Sequence, residues 1–158
     1  MKLAALLALA AALPLQVGSF DPSDHPKPKD FIVYAAEQQT VQAGRHAVLE
    51  LRFHVVDGYH VNSHTPKSEF LIPTRVEVQP ANGVQASPAE YPSGHPYSFA
   101  FDPSQQLDVY SGDFTLRLPI VAAPGVHTIP ATLRYQACDN AACYPPKSLA
   151  IQVLFTAH

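Results

Sequence analysis

Cys138 and Cys143 are the residues whose type and spacing best fit redox chemistry. They are the two cysteines of this 158-residue chain, and four residues separate them. Alternating apolar residues lead into Cys138, and Asp139 with Asn140 is typical of a turn, so a hairpin would place the cysteines opposite each other. Opposed residues of antiparallel strands have Cα atoms about 4.5–5.5 Å apart, which a disulfide accepts. The spacing therefore permits a bridge.

From these residues alone, three kinds of chemistry remain open for the pair: thiol–disulfide exchange, a local structural disulfide and metal ligation. A disulfide that closes a ring of about six residues stabilises a fold by roughly 2 kcal/mol. A disulfide that closes about 60 residues stabilises it by about 4 kcal/mol. The alternation also predicts Leu133 and Tyr135 toward the core and Cys138 toward the opposite, outer side. Both points favour exchange slightly over a structural disulfide.

A metal site would need further ligands, and His60 and His64 are the candidates. In a strand, residues four apart share a face but lie about 13 Å apart, too far to hold one ion without a turn between them. The single methionine is Met1, which leaves the rest of the chain without a thioether for copper(I). We therefore expect no metal and no other cofactor, and we interpret His60 as a partly buried, hydrogen-bonded histidine at a strand end.

The elements that position the cysteines are predicted to be β-strands. The 16 prolines are spread along the chain and would interrupt long helices, whereas strand edges and loops tolerate them. Residues 80–106 are predicted to be a long connection with one irregular strand. Alternating apolar and polar residues predict strands at 46–55, 75–79, 114–120, 131–136 and 149–156. The pattern favours an all-β sandwich of about seven or more strands.

Residues 1–19 are predicted to be a signal peptide. Lys2 supplies a positive start, residues 3–15 are mostly leucine and alanine, and small residues follow. An apolar run of this length is too short to cross a bilayer of about 30 Å. We interpret residues 20–30 as an extended lead-in and residues 31–158 as one domain.

The charge of the mature chain excludes some partners. Without Lys2, nine Lys and Arg face 13 Asp and Glu, a net charge of −4, and there is no basic run. Nucleic acid is therefore not expected as a partner. We expect a periplasmic or secreted monomer that does not insert into a membrane once the signal is removed, in a compartment where disulfides persist.

Three segments resemble one known family. The most specific is Tyr-Gln-Ala-Cys-Asp-Asn-Ala-Ala-Cys-Tyr-Pro-Pro at 135–146. Residues 58–74, GYHVNSHTPKSEFLIPT, are also similar, and residues 109–119, VYSGDFTLRLP, are a weaker match. Together they cover most of residues 30–156 in the order of the family that they resemble, the amino-terminal periplasmic domain of the thiol:disulfide interchange protein DsbD.

The resemblance implies an immunoglobulin-like β-sandwich with a redox-active cysteine pair on one hairpin. It implies a thiol:disulfide oxidoreductase that exchanges electrons with thioredoxin-fold periplasmic proteins, which act as donor and acceptor. Cys138 and Cys143 would be the exchanging pair, and Cys143 would form the mixed disulfide. The alternative is a non-catalytic binding or accessory module in which the disulfide is only structural.

The resemblance also implies a cap loop at residues 65–71. Phe70 would shield the sulfurs when no partner is docked, with Glu69 beside it, and Leu71 and Tyr144 would complete the cap and partner-binding surface. The full-length family protein has membrane helices and a thioredoxin domain that these 158 residues do not contain. We therefore expect either that a separate protein supplies the electrons or that the chain has lost this role.

Overall fold

The computed structural model describes residues 28–99 and 102–158, and these residues form β-strands without a helix. No helix in this part of the chain could therefore cross a membrane. The predicted signal peptide and most of the predicted lead-in lie outside the described residues. The strands are β1 (Ile32–Ala35), β2 (Gln39–Val41), β3 (Ala47–Val55), β4 (His60–Asn62), β5 (Arg75–Val78), β6 (Val84–Ala86), β7 (His95–Phe99), β8 (Asp102–Tyr110), β9 (Asp113–Ala122), β10 (Gly125–Tyr135), β11 (Ala137–Cys138) and β12 (Lys147–Ala157).

Two four-stranded sheets form the sandwich. The first has the order β1-β3-β9-β6 and the second the order β2-β12-β10-β5. Pairing is antiparallel throughout both sheets except between β12 and β2, which run parallel. The longest ladder joins β10 and β12, from Gly125 opposite Ala157 to Tyr135 opposite Lys147. Both cysteines lie in the connection between its last paired residues, Tyr135 and Lys147.

The core between the two sheets follows from the alternation in their long central strands. Every second side chain is buried in β9, in β3 from Leu49 onward, in β10 from Ile129 onward and in β12 from Ile151 onward, and these side chains belong to one apolar cluster. The fully buried members include Leu49, Leu51, Leu116, Leu118, Leu133, Tyr135, Val153 and Phe155. The predicted all-β, immunoglobulin-like sandwich is therefore confirmed.

A third sheet was not predicted, and it is the one that carries Cys138. Its order is β11-β4-β8-β7, and β7 and most of β8 come from the segment 80–106. The prediction of one irregular strand there was wrong, because this segment also contributes β6 to the first sheet. Pro96 and a register shift at Ser98 and Phe99 obscure the alternation in β7, an edge strand where proline is tolerated.

The third sheet has a small apolar cluster of its own, separate from the sandwich core. It consists of Phe99, Leu107, Val109 and Cys138, with Leu71 and Tyr97 packed against it. Ala137, the residue before Cys138, belongs to the sandwich core. Consecutive residues of β11 thus face the two different clusters, as the alternation of a strand requires.

Candidate functional site at the disulfide

A disulfide joins Cys138 and Cys143, with an S–S distance of 2.00 Å and Cα atoms 3.9 Å apart. The Cα distance is shorter than the value expected for opposed strand residues. The reason is local, because Cys138 and Cys143 form an isolated bridge rather than part of a regular ladder. The amide of Asp139 donates to the carbonyl of Ala142 at 2.9 Å and closes the turn between them.

The two sulfur-bearing residues differ sharply in exposure. Cys138 has 0% of its surface exposed, whereas Cys143 lies at the surface. The sequence correctly placed Cys138 on the side away from the sandwich core. The inference that this side is outward-facing was wrong, because the third sheet covers it. Of the two cysteines, Cys143 is therefore the one that solvent can reach.

Asp139 organises the loop that presents Cys143. Its Oδ1 accepts hydrogen bonds from the amides of Ala141 and Ala142, both at 2.8 Å. The hydroxyl of Tyr144 donates a short hydrogen bond to Oδ2 of Asp139. This bond, with partial desolvation, raises the pKa of Tyr144 to about 12. One carboxylate thus fixes both the turn and the residue after Cys143.

Tyr144 attaches the loop to the sandwich. Its ring stacks on Phe31 at 5.0 Å and lies 6.1 Å from the ring of Tyr59. Its amide donates to the carbonyl of Ala137 at 2.8 Å, and its carbonyl accepts from Nε2 of Gln136 at 3.2 Å. The loop is therefore held on both sides of the disulfide.

His60 lies directly opposite Cys138 in the ladder between β4 and β11. Its ring centroid is 4.0 Å from that of Tyr97 and 6.0 Å from that of Phe99, and 4% of its surface is exposed. Its Nε2 atom is buried and has no hydrogen-bond partner among the described residues. His60 is thus more deeply buried than the sequence indicated, and the predicted hydrogen bond is absent at Nε2.

Burial is the main cause of an altered pKa at His60. Desolvation of the charged ring lowers its pKa to about 4. The carboxylate of Asp139 opposes this shift, and His95 adds to it. The ring of His60 is therefore neutral at neutral pH.

His64 does not share a site with His60. Its Nδ1 lies 3.1 Å from the carbonyl oxygen of Thr74, and its ring stacks on Tyr91 at 3.6 Å. Within residues 28–99 and 102–158, no group of three or more His, Cys, Asp or Glu side chains is arranged to hold a metal ion.

The predicted cap segment, residues 65–71, meets the disulfide region through Leu71 rather than Phe70. Leu71 packs against the cluster that contains Cys138, whereas Phe70 is 86% exposed. The structure thus contradicts the expectation that the Phe70 ring shields the sulfurs. A turn explains this, because the amide of Leu71 donates to the carbonyl of Ser68 and consecutive side chains diverge. Glu69 is also exposed.

Two amide side chains, missed by the sequence reasoning, connect Ile72, the residue after the cap segment, to the strand end that leads into Cys138. Nδ2 of Asn62 donates to the carbonyl of Ile72 at 3.0 Å and to Oε1 of Gln136 at 3.1 Å. The same Oε1 accepts from the amide of Ile72 at 3.2 Å. Both residues lie within the segments that resemble the family, which is the signal that could have identified them.

The chain is similar in structure to two solved N-terminal domains of other proteins. The reduced N-terminal domain of Neisseria meningitidis DsbD is 20% identical, with a TM-score of 0.45 over 68% of this chain and 77% of that one. The N-terminal periplasmic domain of ScsB from Proteus mirabilis is 10% identical, with a TM-score of 0.50 over 77% of this chain. The match spans 44% of the ScsB chain, and at this identity it shows the fold alone. No curated protein matches the chain.

The sequence itself matches a family described as thiol:disulfide interchange protein DsbD, N-terminal, over residues 30–154. This range includes both cysteines, the cap segment and His60. It also covers well over half of the chain. The chain therefore belongs to the family of DsbD N-terminal domains.

Proposed function

We propose that this chain carries out thiol–disulfide exchange through Cys138 and Cys143 with thioredoxin-fold proteins of the periplasm. The observation that carries the proposal is the difference in exposure within one disulfide, since Cys143 lies at the surface and Cys138 is fully buried. Membership of a family of thiol:disulfide interchange domains supports the same chemistry.

The exposure difference assigns different roles to the two sulfurs. Exchange requires a thiolate that approaches an accessible sulfur in line with the S–S bond. A partner thiolate can reach Cys143 Sγ, where a new S–S bond forms. The bond between the two cysteines then breaks, and its electron pair goes to Cys138 Sγ. A second partner thiol resolves the mixed disulfide and leaves both cysteines reduced.

The partner-binding surface that we propose consists of Glu69, Phe70, Leu71 and Tyr144. Leu71 packs against the cluster that contains Cys138, and Tyr144 follows the exposed cysteine. Phe70, at 86% exposure, offers an aromatic ring to a docking protein. Aromatic side chains are enriched among residues that dominate binding energy at interfaces. Glu69 gives this surface a charged rim.

The location and the electron supply follow from the same proposal. The family is that of a periplasmic domain, and the predicted signal peptide agrees with export. We propose that the domain acts there as a monomer, reduced by one thioredoxin-fold protein and oxidised by another.

A trapping experiment tests the order of the two cysteines. The substitution Cys138→Ala leaves Cys143 alone and adds no polar group to the apolar cluster. This variant should form a mixed disulfide with a thioredoxin-fold protein whose attacking cysteine has been activated as an aromatic mixed disulfide. The matched variant Cys143→Ala should form little or none, because its remaining cysteine is buried. Trapping through Cys138 instead would contradict the assignment.

A second measurement tests the exchange itself. Reduced thioredoxin should open the disulfide of the unmodified protein, detected by alkylation of the freed thiols and mass spectrometry. If thioredoxin in excess leaves the bridge closed, the proposed function is wrong.

A further inference from the structure

His60, whose Nε2 atom has no hydrogen-bond partner among the described residues, lies opposite Cys138, the buried half of the disulfide. Residues directly opposite in an antiparallel ladder have Cβ atoms about 4.5–5.5 Å apart and point to the same face. His60 and Cys138 have this relationship. Nε2 of His60 is buried without a hydrogen-bond partner among the residues described, although such groups are normally paired.

Opening the disulfide creates a charge at this place. When a thiolate attacks Cys143, the electron pair of the broken bond leaves on Cys138 Sγ. That sulfur has no exposed surface and packs with Phe99, Leu107 and Val109. A buried anion in an apolar cluster is energetically unfavourable unless a hydrogen-bond donor faces it.

We propose that His60 stabilises the Cys138 thiolate by donating a ring N–H hydrogen bond to its sulfur when the disulfide opens. This inference rests on the proposed exchange through Cys143. His60 acts through Cys138 and makes it a better leaving group, so it is a positioning residue for the reaction rather than an attacking group.

The step balances without any further reactant. The partner's thiolate and Cys143 Sγ form one S–S bond, and the bond between Cys143 and Cys138 breaks. The partner sulfur is oxidised, and Cys138 Sγ is reduced and carries the negative charge. The His60 proton remains on the ring and is shared with the sulfur. When Cys138 becomes a neutral thiol, its proton comes from water.

The groups around His60 suit a neutral donor. Its packed neighbours Tyr97 and Phe99 are aromatic, and the charged or titratable groups that act on it are Asp139 and His95. Because burial holds the pKa of the ring near 4, the ring is neutral at neutral pH and carries one N–H. A negative sulfur opposite it favours the tautomer that donates.

The test measures the acidity of Cys138 in isolation. In a Cys143→Ala background, the ultraviolet absorbance of the thiolate is titrated with His60 present and after His60→Phe or His60→Leu. Both substitutions remove the N–H, and phenylalanine keeps an aromatic ring against Tyr97. We expect each substitution to lower the acid dissociation constant of the Cys138 thiol at least about tenfold. His60→Gln, which restores a side-chain N–H, should recover most of the acidity.

The control is His46→Gln, at an exposed position before β3, and it should leave the titration unchanged. In the disulfide-bonded protein, His60→Phe should also slow bridge opening by glutathione several-fold. An unchanged Cys138 titration in either folded variant that lacks the N–H would overturn the proposal. None of these measurements uses a thioredoxin-fold partner. A failure to trap such a partner would therefore contradict the proposed function without changing the outcome of the Cys138 titration.

Discussion

Phe31 and Tyr144 stack with ring centroids 5.0 Å apart and planes inclined by 17°. Phe31 belongs to the sandwich core and is 3% exposed, and Tyr144 directly follows the exposed cysteine. The ammonium group of Lys147 lies 4.8 Å from the centroid of the Phe31 ring. This aromatic contact connects the loop that carries Cys143 to the sandwich core.

We expect this contact to appear as a coupling energy in a double-mutant cycle. Phe31→Leu and Tyr144→Leu, made singly and together, should give an interaction of about 0.5–1.5 kcal/mol in the free energy of unfolding measured with denaturant. The control Tyr144→Phe removes the hydroxyl that bonds Asp139 but keeps the ring. Phe31→Leu should therefore lower the free energy of unfolding by the same amount in the Tyr144→Phe background as in the unmodified protein. Additive single effects would show that the rings do not interact.

The disulfide should contribute little to the stability of the sandwich. Its ring is short, and neither cysteine belongs to the main core cluster. We expect Cys138→Ala/Cys143→Ala to lower the free energy of unfolding by about 2 kcal/mol and to leave the circular dichroism of the β-sheet unchanged. A double variant that fails to fold would identify the bridge as a structural element, in agreement with the alternative hypothesis.

The sandwich could be predicted from the sequence because its central strands bury only one face. From Leu49 to Val55 in β3 and from Phe114 to Ile120 in β9, every second residue is a large apolar one, and these residues are buried as predicted. Alternation predicts which face a residue joins, but not what covers that face. Cys138 illustrates the limit, since its side was correct and its burial depends on β4 and β8, far away in sequence.

The cap segment shows a second limit. The resemblance identified residues 65–71, but Phe70 is exposed, and Leu71 is the residue that packs against the cluster containing Cys138. The turn from Ser68 to Leu71 determines which side chain packs there, and no pattern in this segment predicts its geometry. The sequence indicated only a partly buried histidine at position 60, and the pairing of His60 with Cys138 depends on a ladder of two residue pairs that no local pattern predicts.

Because Phe70 is exposed, we expect its loss to slow reduction of the disulfide by a protein partner but not by a small thiol. We expect Phe70→Ala to lower the second-order rate of reduction by thioredoxin about five- to tenfold, the effect of losing about 1 kcal/mol of contact. The rate with glutathione should be unchanged, because the ring does not cover the sulfurs. Val126→Ala is the matched control, since Val126 is 76% exposed and lies at the start of β10. Faster opening by glutathione with an unchanged thioredoxin rate would instead support a shield.

The buried ring of His60 predicts how stability depends on pH. Its pKa is about 4 in the folded protein and 6.5 in the reference state, so the unfolded chain binds more protons between these values. Stability should therefore rise with pH across this window and level off above it, with a contribution of up to about 3 kcal/mol. Urea unfolding across the window should show this rise in the unmodified protein and in His46→Gln, and a smaller rise in His60→Phe. Parallel curves for all three proteins would mean that His60 is protonated as easily in the folded state as in the unfolded chain.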